Sequence, residues 1–201
     1  MSTASDVNGK LNFATASILL LEQSQNSLDM LSQIFMGFGA RSCHRASTIE
    51  EAARVAKHAT VDLIVADPSL GEEDGLDFVR WLRRSDLEPN RTTPVIVVSA
   101  DASIAAIRAA RDAGGSFYLA KPISPKTLLD RITWIMRDSR SFVVSDNFVG
   151  PDRRFNALGP PPGMAPRRST DIKTRLGEPV ESNMSQTEID SILKPQKVTL
   201  S

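Results

Sequence analysis

VDLIVADPSLGEEDG (Val61–Gly75) runs through the apolar stretch LIVA (Leu63–Ala66) onto an aspartate, Asp67, and then into a loop with three more acids and two glycines. A short apolar run closed by turn-forming residues reads as a strand. The amphipathic GLDFVRWLRRS (Gly75–Ser85) that follows reads as a helix. A strand without polar alternation needs cover on both faces, which is the condition of a parallel sheet held between helix layers.

The same alternation continues on both sides. Upstream, SILLL (Ser17–Leu21) reads as a strand and SLDMLSQIFMGFGA (Ser27–Ala40) as a helix with Gly39 at its stop. SCHRAS (Ser42–Ser47) gives a short strand, and IEEAARVAKHA (Ile49–Ala59) a helix. Downstream come the strand TPVIVVSA (Thr93–Ala100), the small-residue helix ASIAAIRAARDAGG (Ala102–Gly115) and the strand FYLA (Phe117–Ala120). The last helix is SPKTLLDRITWIMRD (Ser124–Asp138), with Pro125 in its first turn. Five strands alternating with five helices predict an α/β fold with a doubly wound five-stranded parallel sheet.

Composition sets the outer bounds. The 201 residues are 41% hydrophobic, with 24 basic and 24 acidic side chains, so a real core is expected and no global pull toward nucleic acid or membrane. One cysteine, Cys43, cannot form an internal disulfide, which points to a reducing, cytoplasmic setting. LNFATASILLL (Leu11–Leu21) lacks a basic start and is too short for a membrane span. Five prolines precede Arg140 and seven follow it, including the GPPPG cluster (Gly159–Gly163), and no sustained period runs through that second part. The expected organisation is a flexible start (1–14), one domain (15–140), a disordered linker (141–182), a short amphipathic peptide (183–195) and a terminus (196–201).

In open parallel sheets, ligand chemistry collects at the carboxyl ends of the strands. That rule gathers Glu22 and Gln23, Asp67, Ser99 and Lys121 along one edge. The set suits acceptance of a phosphoryl group. A carboxylate can attack phosphorus, a hard divalent cation held by carboxylates and carbonyls would neutralise phosphoryl oxygens, and lysine and hydroxyl groups can bond those oxygens.

These residues resemble the CheY-like receiver domain of two-component response regulators, over Thr15 to Arg140. The matching pieces are LIVAD ending at Asp67, the Asp74–Gly75 pair, VIVVSA with Ser99, and AGGSFYLAKPIS with Tyr118, Lys121 and Pro122. The resemblance implies a flavodoxin-like fold, a phosphoacceptor at Asp67 served by Lys121, and coupled switch residues at Ser99 and Tyr118. It also implies Mg²⁺ held by Glu22, Asp67, the backbone carbonyl of Ser69 and, more weakly, Gln23. A histidine kinase or small phosphodonor would supply the phosphoryl group, and a protein contact rather than an enzymatic reaction would be the output. Two departures stand out. Family members carry two acids after the first strand, whereas Gln23 is neutral; a unit charge about 4 Å from the ion is worth on the order of 4 kcal/mol per opposite charge before desolvation. Gly71 replaces a common proline, which predicts a looser loop, with Glu72 and Glu73 as solvated charges.

The tail has a segment of its own, NMSQTEIDSILKP (Asn183–Pro195). Ser185 and Glu188 stand in capping-box spacing, and Ile189, Ile192 and Leu193 share a helical face. So short a helix needs a partner to be stable. MSQTEIDSIL is similar to the receiver-binding peptide of the flagellar switch protein FliM. The resemblance implies that Met184, Ser185, Glu188, Ile189, Ile192 and Leu193 dock on a CheY-type receiver, either its own, which they would mask, or another's, for which they would compete with the flagellar switch. Chemotaxis or flagellar motor control is the expected setting. Two rival readings stay open: a phosphorylation-independent adaptor, and a cyclic di-GMP effector using Arg153, Arg154, Arg167 and Arg168. His44 and His58 have no metal-ligand spacing and receive no role.

Overall fold

The computed structural model describes residues 13–136, 142–145 and 148–151. Its core elements run β1 (Ser17–Leu21), α1 (Gln25–Gly37), β2 (Ser42–Ala46), α2 (Ile49–His58) and β3 (Leu63–Ala66). A two-residue ribbon follows, β4 (Ser69–Leu70) with β5 (Glu73–Asp74), and then α3 (Gly75–Arg84) and a 3-10 turn (Asn90–Thr92). The chain continues through β6 (Val95–Ser99), α4 (Ile104–Asp112), β7 (Phe117–Ala120) and α5 (Pro125–Met136) to β8 (Phe142–Ser145) and β9 (Phe148–Pro151). The main sheet has five parallel strands in the order β2-β1-β3-β6-β7, as expected from the alternation.

Strand alternation divides the core in two. Leu19, Leu21, Ile64, Ala66, Val95, Val97 and Tyr118 point to one side, where Ala52 and Ala56 of α2, Phe78, Val79 and Leu82 of α3, and Ile107 and Ala110 of α4 close over them. Their neighbours Ile18, Leu20, Leu63, Val65, Ile96, Val98, Phe117 and Leu119 point to the other, under Leu28, Leu31 and Phe35 of α1 and Leu128, Ile132 and Ile135 of α5. Removing a buried leucine from either layer costs about 2–5 kcal/mol.

The helix ends follow local chemistry. Ser24 caps α1 by accepting from the Ser27 N–H, and Thr48 and Ser103 cap α2 and α4 in the same way. Gly39 stops α1 as expected: at φ +96° it lets Ala40 N–H reach the Phe35 carbonyl at 2.9 Å. At the opposite end of the sheet from Asp67, buried Asn90 fastens three elements. Its Oδ1 accepts from Val61 N–H at 2.8 Å, and its Nδ2 donates to the Ala56 and Ala59 carbonyls at 2.8 and 2.6 Å.

Three expectations are corrected. Phe13, assigned to a flexible start, is buried against Phe35 and Phe38, with ring centroids 6.3 and 5.5 Å away. Part of the span expected to be linker from 141 onward forms the antiparallel pair β8–β9, which contacts α3. Phe142, Val143, Phe148 and Val149 are all partly buried there, although their spacing showed no sustained strand period. Gly71, expected to loosen the loop after Asp67, instead turns the β4–β5 ribbon at φ +72°. Residues 152–201, including the docking peptide and both arginine pairs, lie outside the described residues.

Candidate functional site

β3 delivers Asp67 to the carboxyl rim of the sheet, and β1 delivers Glu22 beside it; the two side chains are buried. Lys121, arriving from β7, sits between them with Nζ 2.5 Å from Glu22 Oε2 and from Asp67 Oδ2. The other carboxylate oxygens are held by backbone donors. Ser24 N–H donates to Glu22 Oε1 at 3.0 Å, and Ser69 N–H donates to Asp67 Oδ1 at 2.6 Å. Burial works against the charged form of Lys121, but the hydrogen bonds and charges of Asp67 and Glu22 outweigh it and hold the ammonium above the ordinary lysine value.

Ser99 ends β6 next door. Its carbonyl accepts from Lys121 N–H at 2.8 Å, and its buried hydroxyl accepts from Asp101 N–H at 3.1 Å. Tyr118 is also buried, with its hydroxyl donating to the Asp101 carbonyl. Burial pushes its phenol above the ordinary value, helped by the charges of Asp101 and Asp67 and partly offset by a hydrogen bond with Ser99. Asp101 is thus a hub that sequence reading missed. Its side chain also accepts from Ser103 N–H at 2.8 Å, at the start of α4. A polar residue directly after the VIVVSA strand was the available signal.

The structure therefore brings Glu22, Asp67 and Lys121 into direct contact and sets Ser99 and Tyr118 alongside. Gln23 is placed differently: it is exposed, and its amide lies over Gly71, where an added Cβ would meet Nε2 at 2.8 Å and Oε1 at 3.3 Å. Ser69 is exposed in β4. Asp74 caps α3 by accepting from Leu76 N–H at 2.9 Å. Glu73, expected to be merely solvated, accepts from Ile49 N–H at 3.4 Å at the start of α2.

Charge tests whether a cation fits. Two buried carboxylates against one ammonium leave one negative charge uncompensated at a site with oxygen donors, which suits a hard divalent ion. Among the described residues no group of three His, Cys, Asp or Glu gathers, so the carboxylate share of such a site would come from Glu22 and Asp67. Among the same residues, no helix is long and apolar enough to cross a membrane.

Comparison with known proteins agrees with this geometry. A stretch of the sensory/regulatory protein RpfC of Xanthomonas campestris is 39% identical over 71 residues, covering 35% of this chain and 10% of RpfC. The polar-differentiation response regulator DivK of Brucella ovis is 29% identical over 125 residues, covering 62% of this chain and 99% of DivK. A crystal structure of a putative response regulator from Chloroflexus aurantiacus superposes with a TM-score of 0.55 at 28% identity, covering 61% of this chain and 99% of that one. The family described as the response regulator receiver domain matches residues 18–133, a span that runs from β1 into α5 and includes every rim residue named above. With fold, rim chemistry and family match in agreement, the chain belongs to the response regulator receiver domain family.

Proposed function

We propose that the chain accepts a phosphoryl group on Asp67 from a histidine kinase or a small phosphodonor and signals through a protein contact, in chemotaxis or flagellar motor control. The observation that carries this reading is the Lys121 ammonium bridging the buried Glu22 and Asp67 carboxylates. A carboxylate oxygen of Asp67 attacks phosphorus and forms an O–P bond. The donor's P–N or P–O bond breaks, and its electron pair leaves with the imidazole or carboxylate. The charge of the three side chains moves from about −1 to about −2 as a carboxylate becomes an acyl phosphate dianion. Lys121 then offers a point positive charge to a phosphoryl oxygen, and the Ser99 hydroxyl a hydrogen bond. Bound through Glu22, Asp67, the Ser69 carbonyl and the Gln23 amide oxygen, Mg²⁺ would supply the remaining charge neutralisation.

A phosphorylation-independent adaptor is the second reading, favoured by the Gln23 amide resting on Gly71 where the family has a second acid. Incubation with acetyl phosphate and Mg²⁺ followed by intact-mass measurement separates the two. The first reading expects one added phosphoryl group, absent in Asp67→Asn, and a Mg²⁺ requirement lowered about tenfold or more in Gln23→Asp. Wild-type protein that gains no mass favours the adaptor.

A further inference from the structure

We infer that the β8–β9 ribbon is a strap that pins the turn between α4 and β7 and so holds the switch tyrosine, Tyr118, in its buried position. The anchor is Arg83, on the last turn of α3. Its side chain is 1% exposed, its guanidinium lies 5.4 Å from the centre of the Phe142 ring, and no carboxylate pairs with it among the described residues. Nε donates to the Gly114 carbonyl at 3.0 Å and Nη1 to the Arg91 carbonyl at 2.6 Å, while among the described residues Nη2 has no hydrogen-bond partner.

The ribbon meets the turn backbone to backbone. A Cβ on Gly114 would stand 2.7 Å from the Val149 carbonyl oxygen and 2.8 Å from Arg83 Cγ. From the other side, a Cβ on Gly150 would stand 2.9 Å from Gly114 Cα and 2.8 Å from Phe148 Cζ. Where Gly114 and Gly150 meet, backbone lies against backbone, so no rotamer change at either residue can absorb a shift of the turn.

The turn is tied in both directions along the chain. Gly114 N–H donates to Arg111 and Gly115 N–H to Ala110, both at 3.0 Å, in the last turn of α4. Ser116 N–H donates to Val95 at 2.7 Å, and β7 with Tyr118 begins at the next residue. A two-stranded ribbon is marginal by itself, so its order depends on this docking. Docking and the position of the turn are then linked reciprocally. The inference stands whether or not Asp67 accepts a phosphoryl group.

Tyr118 is the chain's one tyrosine, which supplies the readout. The full chain is labelled with fluorotyrosine for ¹⁹F NMR, and backbone amides are followed by hydrogen exchange. Gly150→Ala puts a methyl group into the contact from the ribbon side and leaves the turn and β7 unaltered. The expected result is a loss of protection of about tenfold or more at the β8–β9 amides, protection kept in β1 and β3, and a Tyr118 resonance that shifts or splits. Gly114→Ala, which enters the same contact from the turn, is expected to do the same. An unmoved Tyr118 resonance in Gly150→Ala, with the ribbon amides exposed, would overturn the proposal by making the ribbon a passenger. Ribbon amides that stay protected in Gly150→Ala would also overturn it.

Discussion

At the scale of single residues, the rim shows how position outweighs type. Glu22 and Gln23 are neighbours in sequence, yet one is buried against Lys121 and the other lies exposed over Gly71. Both lie past the end of β1 at Leu21, where the chain bends toward α1 and turns them apart; the sequence pattern alone placed both at the same edge. Tyr118 gives a prediction with a clear sign. Its phenol is raised above 10.0, chiefly by burial, so the neutral form is favoured in the folded state. Its contribution to stability is complete below the unfolded value and falls away as pH climbs through the folded one. Phenolate absorbance should therefore lag in native protein and rise near pH 10 in denatured protein; coincident titrations would contradict the burial. Asp67, Ser99 and Lys121 were legible because each closes or follows a strand; Tyr118, inside β7, was legible through the family resemblance of the run that ends in Lys121. Asp101 was not, because its bond to Tyr118 runs through its backbone carbonyl, and the polar side chain after VIVVSA signals only a turn before α4.

At the scale of elements, boundaries came from caps and apolar alternation, and the misses came from contacts distant in sequence. The β8–β9 pair is short and packs on α3; its aromatic and β-branched residues, Phe142 to Val144 and Phe148 to Val149, are too few to show a strand period. The β4–β5 ribbon is two residues wide, below what periodicity can detect. The 3-10 turn after α3 shows the converse case, a short element that matters out of proportion to its length. Asn90→Ala strips partners from Val61 N–H and from the Ala56 and Ala59 carbonyls at once. A stranded buried polar group costs about 1–3 kcal/mol, so chemical denaturation should report a loss of at least about 2 kcal/mol with an unchanged denaturant slope. A loss below about 0.5 kcal/mol would show that these groups find other partners.

For the whole molecule, the sheet separates two ends with different work. Glu22, Asp67, Ser99 and Lys121 occupy the carboxyl rim, while Asn90, Arg83, Gly114 and the ribbon occupy the other. The proposed docking peptide tests whether the molecule also acts on receivers. Deleting residues 183–201 should change the affinity of the full chain for a switch-protein peptide, measured by fluorescence anisotropy, if the segment occupies its own receiver. Unchanged affinity, with no binding of a synthetic 183–195 peptide to any CheY-type receiver, removes the idea. The position of Pro151 has a practical consequence as well. Because β9 ends at the floor of the sheet, a fluorescent protein or affinity handle fused after residue 151 starts its path on the side away from the aspartate. Such fusions should leave the approach of a kinase unhindered, whereas handles inserted between β3 and α3 would stand in its way.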